Sequence, residues 1–253
     1  MDSFAGKVVI ITGASEGIGA RLATVLGSRG ARLALAARNE ARLREAGGSD
    51  ALILPGDLTD PSVGENLIAK TLERWGQIDV LINNAGRGSY YTASTTPLDE
   101  ARALFDLNFF APLALAQLAA PHLRRSRGSI ANVSSIAGQI SLPWLPVYSA
   151  SKFALASITS TLRIELERDG VHVMGVFPGY VDTEFHAHAA GLGPPVIVIK
   201  GKRYAVSAEQ CAAAIVRGLE RRRRTVVTPR AGWLLVWANR LFPRLVEWQL
   251  GLA

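Results

Sequence analysis

The chain reads as a doubly wound α/β protein, a parallel sheet of seven strands with helices on both faces. Three observations predict it. Short apolar runs rich in β-branched residues alternate with helix-length segments, the pattern of βαβ crossovers. Hydrophobic residues are 49% of the sequence and charged residues only 19%, which suits a sheet covered on both sides. A glycine-rich turn follows the first apolar run. At 253 residues, without a repeat, a low-complexity stretch or an internal linker, one domain over 1–253 is expected.

The strands are expected at 8–11, 33–37, 52–54, 80–82, 129–133, 171–177 and 225–228. Lys7 to Thr12 already reads as the first strand, with six residues ahead of it, too few for a signal peptide. Cys211 is the sole cysteine, which excludes a disulfide framework and a thiolate metal cluster. A cytoplasmic, reducing setting is therefore expected, with membrane association left open by the tail. The net charge of +7 is uneven: seven arginines against Glu247 alone give the last 33 residues +6. The body is nearly neutral, which argues against nucleic acid as its partner.

Between the first strand and a helix running to about residue 29 stands Thr12-Gly13-Ala14-Ser15-Glu16-Gly17-Ile18-Gly19. Glycines here permit a tight turn, close approach of a pyrophosphate and close packing of helix on strand. The helix N-terminus adds backbone N–H groups for the phosphates. The spacing is Gly-x-x-x-Gly-x-Gly rather than Gly-x-Gly-x-x-Gly, but three glycines placed so outweigh a plain turn. With the strand pattern, this predicts a Rossmann-type fold.

The second strand ends at Arg38, nineteen residues past Gly19. An acid there would serve the ribose 2′-hydroxyl of NAD, whereas an arginine suits a 2′-phosphate. NADP(H) is therefore favoured over NAD(H). The plainer alternative is a solvated arginine, although cations are not preferred at a helix start. Glu16 dissents, since a base there would strengthen the case for NADP. Asp57 is placed to bond the adenine amino group, while Asp60-Pro61 reads as a cap and first helical residue. Asn83 and Asn84, at a buried strand end, are suited to tying strands together under the cofactor. Asn108 lies in an apolar helix expected from 97 to about 122, either as a packing residue or as a hinge for a bound water.

Tyr148 and Lys152 are four apart and project from one helix face. A phenol has a pKa of about 10, and a nearby cation lowers it, whereas burial raises it. A working pair needs Lys152 close and a second cation such as an oxidised nicotinamide. Alone the spacing is weak, because a packed tyrosine beside a solvated lysine gives the same pattern.

Taken in order, the glycine turn, Asn83-Asn84-Ala85-Gly86, Asn108, Ser134-Ser135, Tyr148/Lys152 and Pro178-Gly179 resemble the short-chain dehydrogenase/reductase family, in its single-domain form. The likeness is good over residues 6 to about 183 and poor beyond. It implies Tyr148 as general acid in ketone reduction and general base in alcohol oxidation. It also implies Ser135, thirteen residues before the tyrosine, as donor to the reacting oxygen. Lys152 would lower the tyrosine pKa and bond the nicotinamide ribose, and Asn108 would hold a relay water. The implied cofactor set is Gly13, Ser15, Gly17, Ile18, Gly19, Arg38, Asp57, Leu58, Asn84, Ala85, Gly86, Tyr148, Lys152, Pro178, Gly179, Val181 and Thr183. A homodimer or homotetramer, formed through the helices of Asn108 and Tyr148, is implied as well.

A substrate lid is expected over about 184–206, rich in glycine and proline at 191–195 and carrying the apolar Val196, Ile197, Val198 and Ile199. His186 and His188 lack a third ligand at metal spacing, so no metal is expected and both read as solvated or lid residues. The segment between Ser135 and Tyr148 is almost wholly apolar, which favours a small hydrophobic carbonyl or alcohol substrate. Gln139, Trp144 and Tyr180 are the candidate substrate contacts. Ser207 to Gln210 forms a capping box opening a helix that ends in Arg221-Arg222-Arg223-Arg224. The tail, about 229–253, mixes tryptophan, leucine and arginine. It suits a helix in a membrane interface, or one docked on the body or another subunit. Alternatives to a carbonyl reductase are an extended-type epimerase or dehydratase and a non-catalytic NADP-binding sensor or scaffold.

Overall fold

The structure is a computed structural model that describes residues 3–194 and 205–251. All seven expected strands form: β1 (Val8–Thr12), β2 (Arg32–Ala37), β3 (Leu52–Pro55), β4 (Val80–Asn83), β5 (Ser129–Val133), β6 (His172–Pro178) and β7 (Thr225–Thr228). They pair in parallel in the order β3-β2-β1-β4-β5-β6-β7. The chain starts mid-sheet, builds to one edge, then returns across β1 to build the other half. That reversal opens a crevice beyond the carboxyl ends of the strands, where ligands of such sheets bind.

Successive side chains of a strand point to opposite faces, so each strand feeds two cores. Val9 and Ile11 of β1 pack with Leu22 and Leu26 of α1 (Gly17–Ser28) and with Cys211 and Ile215 of a late helix, Ala208–Glu220. Ile10 packs on the other side, with Leu67 of Pro61–Trp75 and with Leu115 and Leu162. The helix α2 (Glu40–Gly47) adds Leu43 to the first core, and α3 (Pro61–Trp75) adds Leu67 and Ile68 to the second. Asp60 caps α3 by accepting the Ser62 N–H at 2.9 Å, with Pro61 in the first turn, and Gly76 closes it at φ +71°.

The single apolar helix expected at 97–122 is instead α4 (Leu98–Phe105), a π turn (Asp106–Phe110) and α5 (Ala111–Ser126). Pro112 has no N–H to offer the Asn108 carbonyl four residues back, so the ladder widens there. The wide turn carries Asn108 into the interior, fully buried. This stretch is long and apolar enough to cross a membrane by composition, yet Leu104, Ala116 and Leu123 are buried in the fold. Next come α6 (Pro146–Glu167) and α7 (Ala208–Glu220), the latter opened by the expected Ser207–Gln210 capping box. The arginine run that follows works locally. The Arg222 guanidinium donates to the Gly170 carbonyl at 2.8 Å, and the Arg223 carbonyl lies 2.9 Å from His172 Nε2.

The crevice is pinned by amides, as the paired asparagines suggest. Thr12 Oγ1 accepts the N–H groups of Asn84 and Ala85, each at 3.0 Å. Asn84 Nδ2 donates in return to the carbonyls of Thr12 (3.0 Å) and Gly13 (3.1 Å). Asn83 donates to Asn132 Oδ1 at 2.9 Å, and Asn132 donates to the Thr159 hydroxyl at 2.9 Å. β1, β4, β5 and α6 are thereby joined at their site-facing ends. Thr12→Val keeps the shape but leaves two N–H groups without an acceptor. Urea unfolding should show a loss of about 2 kcal/mol or more; an unchanged midpoint would contradict this role.

Candidate active site

A cleft of about 1280 Å³ runs across the carboxyl ends of the strands. Its floor at one end is the glycine turn. A Cβ on Gly13, at φ +63°, would sit 2.8 Å from Ala85 Cα, and one on Gly19 would sit 2.1 Å from the Gly13 carbonyl oxygen. The turn is thus packed so tightly on β4 that only glycine fits. α1 starts directly after it, and Glu16 gives its first turn no side-chain cap. Free N–H groups at a helix start, beside a floor kept clear of side chains, fit a dinucleotide pyrophosphate. Ser15, Gly17, Ile18, Asn84, Ala85 and Gly86 line this part. Gly19 lies behind the wall as a packing position.

On the β2 side the cleft is lined by Arg38, Asp57 and Leu58. Arg38 is exposed, and among the described residues no carboxylate forms an ion pair with it. The Thr59 N–H holds the Asp57 carboxyl below its usual range against burial, helped by the Thr59 hydroxyl and by the charge of Arg38. Both Thr59 groups bond the same oxygen, Oδ1, at 2.9 and 2.8 Å. Glu16 is paired with Arg42 Nη1 at 2.7 Å and lies 3.1 Å from His188 Nδ1.

At the other end Tyr148 and Lys152 sit one turn apart on α6, both buried. Lys152 Nζ donates to the Val133 carbonyl at 3.0 Å and lies 5.8 Å from the centre of the Tyr148 ring. The Ser135 hydroxyl stands near enough to the tyrosine to lower its pKa, while its Oγ donates to the Pro178 carbonyl at 3.5 Å and accepts the Ala137 N–H at 3.1 Å. Ser134 is committed elsewhere, donating to the Lys152 carbonyl at 2.9 Å. Asn108 accepts the Arg87 N–H and donates to the Arg87 carbonyl, both at 3.0 Å, and donates to Ser151 Oγ at 3.1 Å. A Cβ on Gly86 would fall 3.0 Å from Asn108 Oδ1 and 3.1 Å from Lys152 Nζ, so these two side chains flank that glycine.

The electrostatics depart from the expectation that Lys152 makes the phenol acidic. Burial pushes Tyr148 up to about 12, and the nearby Ser135 hydroxyl only eases the rise. Burial also pulls Lys152 down to about 8. With the ammonium turned to a carbonyl rather than the hydroxyl, desolvation outweighs attraction in the protein's own residues.

Pro178, Gly179, Val181 and Thr183 line the cleft here, and Thr183 Cγ2 lies 3.1 Å from where a Gly17 Cβ would be. Beyond them the walls are Ile140, Leu142, Trp144 and Leu145. His186, expected as a solvated or lid residue, lies in the segment expected as a lid and is packed rather than solvated. It stacks on Tyr180 at 4.3 Å and 8°, and its Nδ1 lies 2.5 Å from the Tyr90 hydroxyl. Phe185 lies against Tyr148 with ring centres 5.7 Å apart. Ala190–Gly191 pairs with Ser89–Tyr90, which seats the first part of the segment expected as a lid. Val196 to Ile199 lie outside the described residues.

Trp144 and Tyr180 line the cleft, but Gln139 does not. Its Oε1 accepts from Arg240 Nη2 at 3.0 Å, and it borders a separate 240 Å³ cavity. It follows the 3₁₀ turn Ile136–Gly138, which directs it away. Tyr90, Phe185, Leu235 and Leu250 also line the cleft, and no motif in the sequence marks them. Among the described residues no group of three His, Cys, Asp or Glu side chains could hold a metal.

Sheet order, glycine floor and crevice define a dinucleotide-binding protein. The sequence profile described as short chain dehydrogenase matches residues 7–190. "11-beta-hydroxysteroid dehydrogenase-like 2" of Arabidopsis thaliana is 34% identical, over 98% of this chain and 82% of that protein. "11-beta-hydroxysteroid dehydrogenase 1A" of the same plant is 36% identical, over 96% and 74%. A short-chain dehydrogenase/reductase from Burkholderia phymatum in complex with NAD superposes with TM-score 0.87 at 25% identity, covering 97% of this chain and 96% of that one. A short chain dehydrogenase from Burkholderia cenocepacia in complex with NADP gives 0.82 at 27%, covering 98% of each. The chain belongs to the short-chain dehydrogenase/reductase family and is an oxidoreductase.

Gly19→Ala forces a methyl into the Gly13 carbonyl and so displaces the turn. Titration of nucleotide fluorescence should show NADPH affinity reduced at least about tenfold, the equivalent of 1.4 kcal/mol. Unchanged affinity would contradict the cradle.

Proposed function

We propose that the protein interconverts a hydrophobic ketone or aldehyde and its alcohol with NADP(H). The observation that carries this is Tyr148, beside Ser135 and one turn from buried Lys152, in a cleft that joins the glycine floor to apolar walls. When bound, the nicotinamide supplies or accepts hydride and, oxidised, adds a positive charge to this end of the cleft. Tyr148 donates its proton to the carbonyl oxygen in reduction and takes it back in oxidation. Ser135 donates to the same oxygen and holds it in place. Lys152 stabilises the phenolate left behind. The Asn108 side chain is spent on Arg87 and Ser151, so a relay water falls to its carbonyl, which Pro112 leaves without a donor four residues on.

Arg38 supports NADP over NAD, and Glu16 no longer speaks against it, because its charge is taken up by Arg42. The apolar walls and the names of the plant relatives support a bulky, steroid-like substrate. Exposed Phe110, Phe153 and Ile164, on and beside α5 and α6, support association of subunits through those helices.

Tyr148→Phe and Ser135→Ala should abolish NADPH oxidation with a panel of hydrophobic ketones while NADPH binding persists; normal turnover in the phenylalanine variant would overturn the assignment. Arg38→Ala removes a charge-assisted pair of about 1.5–3 kcal/mol. NADPH affinity should fall about 10- to 100-fold and NADH affinity stay level; equal losses would refute 2′-phosphate recognition. The pH dependence follows from Lys152. Its ammonium is present below about 8 and lost above it, whereas Tyr148 at about 12 remains protonated throughout. Reduction should therefore slow as pH rises through about 8; a rate flat to pH 10 would count against the ammonium.

A further inference from the structure

The proposed chemistry leaves two C-terminal helices unused, α8 (Gly232–Leu241) and α9 (Pro243–Gly251). Each buries a single valine, Val236 and Val246. On α8 Leu234, Trp237 and Leu241 recur at intervals of three and four and are 76%, 51% and 64% exposed. Residues so spaced share one helix face. On α9 Leu245 and Trp248, three apart, are 60% and 61% exposed, and Phe242 between the two helices is exposed as well. Surface apolar residues are ordinarily scattered singly, and these six large ones, exposed on and between two consecutive short helices, mark a contact.

Charge decides which contact. Arg230, Arg240 and Arg244 are exposed in the same stretch, and Glu247 is the only acid from residue 221 onward. A second copy of this face would set like charges against each other, whereas an anionic surface complements them. Tryptophan and arginine bordering aliphatic residues are also the composition of a helix lying among lipid headgroups. The Arg240 guanidinium lies 5.6 Å from the Trp237 ring centre. The same helices reach the site, since Leu235 and Leu250 line the cleft.

We propose that α8 and α9 form a lipid-docking surface that seats the protein on an anionic bilayer. Leu235 and Leu250 then connect the bilayer side to the apolar end of the cleft, so that a lipid-dissolved substrate enters without crossing water. Docking stands on the exposed apolar residues and their arginines; delivery of substrate rests in addition on the carbonyl-reductase function above.

The test is flotation of the full chain with vesicles of phosphatidylcholine, with or without phosphatidylglycerol. The wild type should float with phosphatidylglycerol vesicles and weakly with phosphatidylcholine alone. Leu241→Ser/Leu245→Ser/Trp248→Ser should reduce flotation about tenfold or more, and Arg244→Glu should weaken it only on anionic vesicles. Thermal melting and NADPH titration of the variants should match the wild type, which excludes misfolding. No flotation of the wild type, equal flotation on both vesicle types, or equal flotation of the triple variant would overturn the proposal. So would a triple variant that loses an oligomer in sedimentation while the wild type never floats, which would make the face a contact between copies. Flotation as expected with no turnover of any ketone would leave docking standing and refute the function.

Discussion

A buried ammonium sets the arrangement of the site. Burying a charge is costly unless it is hydrogen-bonded, and Lys152 is held by the Val133 carbonyl at the end of β5. Its position ties α6 to the sheet and fixes where Tyr148 stands, one turn earlier. The space beside it exists because residue 86 is glycine; a methyl there would meet both Asn108 and Lys152. Three separate stretches of sequence therefore have to converge: the end of β4, the π turn and α6. Because that burial draws the lysine down to about 8, small changes around it decide whether the ammonium is present at neutral pH.

The same convergence explains how far the sequence could be read. Strands were legible because each is built on a short run of mostly apolar residues in a sheet covered on both faces. The glycine turn was legible because close packing of helix on strand allows only glycine. The asparagine pair at 83–84 was legible as a strand tie, and the hydrogen bonds to Asn132 and Thr12 supply its partners. The π turn was not legible as such, since a 3.6-residue period looks continuous through Asn108. Its trace is Pro112, four residues past Asn108.

Side chains that depend on tertiary direction were the least readable. Gln139 lies between Ser135 and Tyr148 in sequence, yet the short 3₁₀ turn directs it to Arg240. Conversely, Tyr90 and His186 are 96 residues apart and meet only because a short strand pair brings the segment after Thr183 back beside Tyr90. Glu16 was a local objection to NADP as an isolated letter. Beside Arg42 it becomes one half of an ion pair. The direction of the Tyr148 shift was likewise open to the sequence, because attraction by Lys152 and desolvation oppose each other and only the fold shows which is larger.

The most direct test is the titration of Lys152 itself, followed by NMR of protein labelled at the lysine ε-carbons. Five lysines are present, so the signal can be assigned by its absence in Lys152→Arg. A midpoint near 8 is expected, well below the value of about 10.4 for a free side chain. A midpoint at the ordinary lysine value would contradict a desolvated ammonium and, with it, the electrostatic basis of the site.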